Sequence, residues 1–120
     1  MSFFHFSQNN SGGDFVFDEK VGISCHVVIE AKDGEAANAI AEGIGLYFDG
    51  CESGRDCDCC GDRWSRVWRK GDKAPKIFGK PTKTFKPTFL WMKGKPEGFI
   101  HYANGRIAAI SGQPCANRTK

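Results

Sequence analysis

Four of the six cysteines fall within ten positions, in the stretch Cys51-Glu-Ser-Gly-Arg-Asp-Cys57-Asp-Cys59-Cys60-Gly61-Asp-Arg-Trp64. Cys57-x-x-Cys60-Gly61 has the form of a metal knuckle. In such a knuckle two thiolates reach one ion across a tight turn, and glycine takes the backbone conformation that closes it. Cys51 is close enough in sequence to be a third ligand. The fourth falls to Cys59, Cys25, His26, His5 or His101; adjacent Cys59 and Cys60 project differently, so two ligands from that pair are not the default. No second C-x-x-C follows, which makes the pattern less specific than a paired-knuckle zinc ribbon. The expectation is a structural zinc on Cys51, Cys57, Cys60 and Cys59. Two other readings stay open: cysteines packing the turn as small hydrophobes, and disulfide or redox use. A thioredoxin-like site needs its motif at a strand-to-helix junction, and Gly61-Asp62 before a strand-like stretch does not supply one.

The second group able to do chemistry is basic and aromatic. Arg66, Arg69, Lys70, Lys73, Lys76, Lys80, Lys83 and Lys86, interleaved with Trp64, Trp68, Phe78, Phe85 and Phe89, suit nucleic acid: the cations neutralise phosphates and exposed rings stack on bases. The plainer reading is that the rings are core and the lysines keep a loop soluble. The charge is unevenly spread. Residues 1–60 carry 3 Lys/Arg against 11 Asp/Glu, net −8, and residues 61–120 carry 14 against 3, net +11. The acidic half argues against a simple nucleic-acid binder. It also admits a weaker idea, that acidic residues mimic DNA phosphates for a nucleic-acid-binding protein.

Other chemistries lack their residues. The three histidines are scattered, and none pairs with a serine or cysteine at a spacing typical of a nucleophilic triad. The carboxylates lie at turns and on a helix face, and Ser11-Gly-Gly13 lacks the Lys-Ser/Thr of a phosphate loop. The expectation is therefore no enzyme. No apolar run approaches the ~20 residues of a membrane span, and the start, Met-Ser-Phe-Phe-His-Phe-Ser-Gln, does not read as a signal peptide. The expected setting is the cytoplasm, where clustered cysteines stay reduced and are more often metal ligands.

The elements that position these groups follow in order. Residues 2–7 read as a strand broken by Gln8-Asn-Asn-Ser-Gly-Gly, 14–18 as a short extended piece, and 23–31 as the clearest strand. Asp33 caps a helix whose stripe is Ala37, Ile40, Ala41 and Ile44, with Gly45 as its stop. Leu46-Tyr-Phe48 then packs on the core, and Asp49-Gly50 turns into the cysteine loop. Residues 63–68 alternate as a strand with Trp64, Arg66 and Trp68 on one face. The span 69–96 holds four prolines and nine Lys/Arg and reads as loop with short edge strands near 76–78 and 88–92. Asn104-Gly105 signals a type I′ hairpin pairing Ala103 with Arg106 and Phe99 with Ile110. Residues 111–120 read as a frayed tail. One α+β domain is predicted: a mainly antiparallel sheet with one helix on one face and a zinc-knuckle-like loop.

Phe-His-Phe-Ser-Gln-Asn-Asn-Ser-Gly-Gly near the start, residues 35–48, and Asp56-Cys-Asp-Cys-Cys-Gly-Asp-Arg-Trp64 together resemble a family of small, uncharacterised proteins encoded by bacteriophages. The resemblance covers the first 64 residues and, loosely, the Asn-Gly hairpin. It implies an intracellular phage context and a target in the host or its defences. The sequence thus predicts a non-enzymatic, zinc-stabilised accessory protein that binds a host protein. The alternative is a nucleic-acid-binding module using residues 63–95. Oligomeric state is not signalled.

Overall fold

A chain rich in short apolar runs has to cover both faces of its sheet, and this one does so with two different kinds of layer. The structure, a computed structural model, describes residues 1–9, 15–85 and 95–110. Strands β1 (Ser2–Ser7), β2 (His26–Ala31), β5 (Gly98–His101) and β6 (Ile107–Ile110) form a sheet in the order β1-β2-β5-β6. The outer pairings are antiparallel, as expected, but the central β2 and β5 run parallel. A parallel step needs a long crossover, and residues 32–97 supply it.

The clearest sequence signals hold. Asp33 caps helix α1 (Gly34–Ile44) by accepting the Ala36 N–H at 2.8 Å, and Gly45 ends it. Ala37 and Ala41 are fully buried, so the helix lies close on Val27 and Ile29, whereas Ile40 is exposed and outside the stripe. On this face Phe4, Phe6, Leu46, Phe48, Trp64 and Val67 complete the larger core. On the other face Phe3, Val28, Ile100 and Ile110 are covered by Ile77 from a small hairpin, β3 (Lys76–Ile77) and β4 (Lys80–Pro81).

Between the layers the chain passes round the edge of β1. Phe3 and Asp72 exchange two backbone hydrogen bonds of 2.8 Å. Gly71 makes the crossing feasible, because a Cβ there would lie 2.5 Å from Cβ of Ser2 and 2.8 Å from the Phe4 ring.

Two expectations are corrected. Residues 63–68 form no strand: the Asn38 side chain on α1 donates to the Val67 carbonyl at 3.1 Å and accepts its N–H at 2.9 Å, taking the place of a partner strand. Trp64 is therefore buried and Trp68 is 84% exposed, not side by side. The C-terminal hairpin is shifted by one residue: Phe99 faces Ala109, and Gly98 faces Ile110. Asn104 does not adopt positive φ; Gly105 alone does, at φ 91, and closes a three-residue loop in which Tyr102 accepts the Gly105 N–H at 2.9 Å. The shift turns Ile110 onto the hairpin side of the sheet. The segment expected as a strand at 88–92, with Lys86, and the tail 111–120 lie outside the described residues. No helix among the described residues is long and apolar enough to cross a membrane.

His5 and His26 are buried under the β3–β4 hairpin. The Phe78 N–H donates to Nδ1 of His5 at 3.3 Å, so Nε2 of His5 carries the proton and donates to Nδ1 of His26 at 2.9 Å. Burial, then the charges of His26 and Arg69, lowers His5 to about 3, and burial lowers His26 to about 4. Both stay neutral in the folded chain, whereas the unfolded chain takes up protons below about pH 6.5. Their contribution is whole above that pH and is lost as pH falls toward the folded values. The urea midpoint is expected to drop between pH 7 and 5, and His5→Gln to flatten that drop; a level wild-type profile would contradict the arrangement.

Candidate metal centre

The cysteine loop leaves the core at Phe48 through Asp49, a non-glycine residue in the left-handed region at φ 59. It then forms a single helical turn, α2 (Gly50–Ser53), where the sequence suggested only a bend. Beyond it the knuckle closes as expected: the Cys60 and Gly61 N–H groups both donate to the Cys57 carbonyl, at 3.2 and 3.0 Å, with Gly61 at φ 91.

The sulfurs of Cys57, Cys59 and Cys60 lie within 4.8 Å of one another. Cys57 and Cys59 are in direct contact, Sγ to Sγ 2.8 Å. Hydrogen bonds from the Cys59 thiol, then from the N–H groups of Cys60 and Cys59, lower the Cys57 thiol to about 7; donating that bond pushes Cys59 up to about 11. Three soft donors thus converge, the Cys57 thiol more readily ionised than an ordinary one, a set suited to a thiophilic ion such as zinc. Cys51 stands apart from this group. Its Sγ donates to the Cys57 carbonyl at 3.4 Å, its N–H is taken by Asp62 at 2.9 Å, and burial with the nearby carboxylates pushes its thiol up to about 11. The remaining candidates for a fourth ligand are elsewhere. Cys25 is buried, His5 and His26 bind each other, and His101 donates from Nε2 to the Gly22 carbonyl at 2.8 Å.

What fixes the loop is a polar network that sequence reasoning missed. Asp56 is buried; its Oδ1 accepts from the Tyr47 hydroxyl at 2.6 Å and its Oδ2 from the Arg63 N–H at 2.8 Å. The Arg63 side chain donates to the Tyr47 oxygen at 3.1 Å and to Oε1 of Gln8 at 3.0 Å. Gln8 in turn donates to the Ser24 carbonyl at 2.9 Å. Asn9 holds the far side, donating to the carbonyls of Cys60 at 2.7 Å and Asp62 at 3.2 Å. Burial alone would raise the Asp56 carboxyl, but the Tyr47 and Arg63 hydrogen bonds and the charges of Arg63 and Arg55 hold it below the usual carboxylate range. Gly50 leaves room for that carboxylate, since any Cβ would overlap it.

A family model matches residues 1–118. The chain belongs to DUF7296, a domain of unknown function. No curated protein and no solved structure matches it.

In this DUF7296 chain the basic and aromatic candidates divide between surfaces. Trp64 is core, and Arg66 is taken up by Asp49 at 2.7 Å and by the Phe48 ring. Trp68 projects beside α1, at a depression of about 650 Å³ lined also by Glu35, Asn38, Glu42 and Arg66. Lys80 and Lys83 are exposed and Lys76 half-buried, in the layer on the opposite face; Arg69 and Lys70, also exposed, precede the crossing, and Arg69 reaches the depression beside His5 and Phe78. Asp56→Asn is expected to lower unfolding stability by about 2 kcal/mol, since it removes the charge that both Tyr47 and Arg63 address. Urea denaturation measures this, and a loss under about 0.5 kcal/mol would show that the network does not hold the loop.

Proposed function

We propose that this DUF7296 protein is a non-enzymatic accessory protein of phage type, stapled by one zinc ion and acting by binding a host or defence protein. The observation that carries the reading is the convergence of three cysteine sulfurs in a loop pinned from both sides by Asp56, Arg63 and Asn9. Cys57, Cys59 and Cys60 would hold the ion. Bound there, zinc would neutralise thiolates and cross-link the knuckle, a contribution on the order of 10 kcal/mol and comparable to the stability of a whole domain. A rigid knuckle is a presenting device more than a reactive one. The histidines support this view, since each is spent on a hydrogen bond within the fold.

Trp68 is the natural anchor for a protein partner. It is 84% exposed beside the depression on α1, and large aromatics at such positions carry a disproportionate share of binding energy. Purified protein is expected to contain about one zinc per chain, with Cys57→Ser lowering Tm by roughly 10 °C or more. Metal analysis finding none, together with a normally folded variant, would remove the zinc. In nuclease-treated bacterial lysate, one protein is expected to be captured stoichiometrically by the wild type and lost with Trp68→Ala; capture unaffected by that change would exclude this surface.

A further inference from the structure

We infer that the layer formed by residues 69–85 binds single-stranded nucleic acid, with Phe78 as the platform for a base and Lys76, Lys80 and Lys83 as phosphate contacts. The surface is distinct from the knuckle and from Trp68, and the inference does not depend on either.

Charge is the first argument. From 66 to 85 the chain carries seven Lys/Arg and one acidic residue, Asp72. Among the described residues, Arg66 is the one cation of that span in an ion pair, so the others are available to an external anion. The acidic half of the sequence does not cancel them. Asp33, Glu35 and Glu42 are exposed on α1, on the opposite face of the sheet. Those three carboxylates do not oppose an anion on the hairpin layer, and Glu30, which shares the hairpin face, accepts the Ala103 N–H at 2.9 Å.

Phe78 is the second. It and Gly79 form the two-residue turn between β3 and β4, at φ 50 and 79, a type I′ geometry that favours Asn-Gly and strains a bulky side chain. Phe78 is 71% exposed, and its ring stands perpendicular to the rings of His5 and His26. An aromatic held in an unfavourable conformation and turned toward water is a site signal. Beside it lies an apolar depression of about 550 Å³ lined by Ile77, Phe78, Pro81, Thr84 and Phe85, with Lys80 also on its wall. A ring face, an apolar recess and unpaired cations are what an unstacked base and its phosphates require.

The aromatic turn, not the cation type, separates nucleic acid from an acidic protein. The six cations at 69–85, five of them lysines, can meet phosphate or carboxylate oxygens alike, whereas an exposed ring has a stacking partner only in a base. A projecting aromatic turn also meets an unpaired base more readily than a stacked duplex.

Fluorescence anisotropy with the full chain and a labelled oligothymidylate of about 20 nucleotides tests the inference. The single strand is expected to bind more tightly than a duplex of equal length, with log affinity falling by about 2 to 3 per decade of salt for three or four phosphates. Phe78→Asn suits the turn, so Tm should hold while affinity falls about tenfold or more. Changing Lys76, Lys80 and Lys83 together to alanine should make the salt slope shallower by about 2. The inference is overturned if the folded wild type shows no salt-sensitive binding, if a folded Phe78→Asn protein binds as tightly, or if polyglutamate of matched length competes equally, which would mark the layer as a surface for acidic proteins.

Discussion

Asp56 is a carboxylate placed where little water reaches it, and the cysteine loop takes its shape from how that charge is satisfied. Burying an ion is costly unless it is paired and hydrogen-bonded, and here one oxygen takes the Tyr47 hydroxyl and the other the Arg63 amide. Those two contacts tie together the exit from the helix layer and the return toward Trp64. Arg63 extends the tie to Gln8, just past the end of β1, and Asn9 closes it onto the Cys60 carbonyl. The loop has almost no apolar side chains of its own to bury, so polar bonds must do what packing does elsewhere. The proposed zinc would add to a loop already folded toward it, since the three sulfurs converge within this frame.

The same segment that closes the network then wraps the sheet. Trp64 and Val67 finish the helix-side core, Gly71 slips past Ser2 and Phe4, and Asp72 pairs with Phe3 on the edge of β1. A backbone bridge at that edge covers hydrogen-bonding groups that an open strand would offer to other chains. The wrap also explains why one short stretch contributes to both surfaces: residues before the crossing at Gly71 and Asp72 belong with α1, and residues after it with the β3–β4 hairpin.

Much of this was legible where local chemistry decides structure. Asp33 read as a cap because a carboxylate there meets a free N–H, and Gly61 read as the close of a knuckle because the turn needs positive φ. Residues whose partners lie far away in sequence were not legible. Gln8 and Asn9 look like strand breakers, and nothing periodic announces that their amides reach residues 24, 60 and 62. The alternation at 63–68 suggested a strand, but Asn38 on the helix supplies Val67 with the bonds a neighbouring strand would give. Asn-Gly suggested a two-residue turn, yet only the glycine adopts positive φ, and the one-residue slip changes which face Ile110 serves. Even so, the three stretches quoted for the family resemblance, one around Gln8-Asn9, one reaching Tyr47 and one from Asp56 to Trp64, meet in a single network. Separated motifs sharing polar side chains are themselves a sign of contact.

The separation of charge follows from the wrap and bears on how a ligand would approach. Packed layers stand about 10 Å apart, close to the distance over which physiological salt screens a charge. Carboxylates on α1 and lysines beyond the other face therefore act on different solvent, and a small net charge of +3 hides two strong local fields. On the hairpin side of the sheet His5 and His26 are neutral, the Arg69 charge itself helping to keep His5 so, and the Glu30 carboxyl on that face accepts the Ala103 N–H at 2.9 Å. A protonated imidazole there would repel the cations above it and loosen the layer that presents Phe78. The neutral histidine pair thus leaves one fewer source of repulsion beneath the lysine-rich layer.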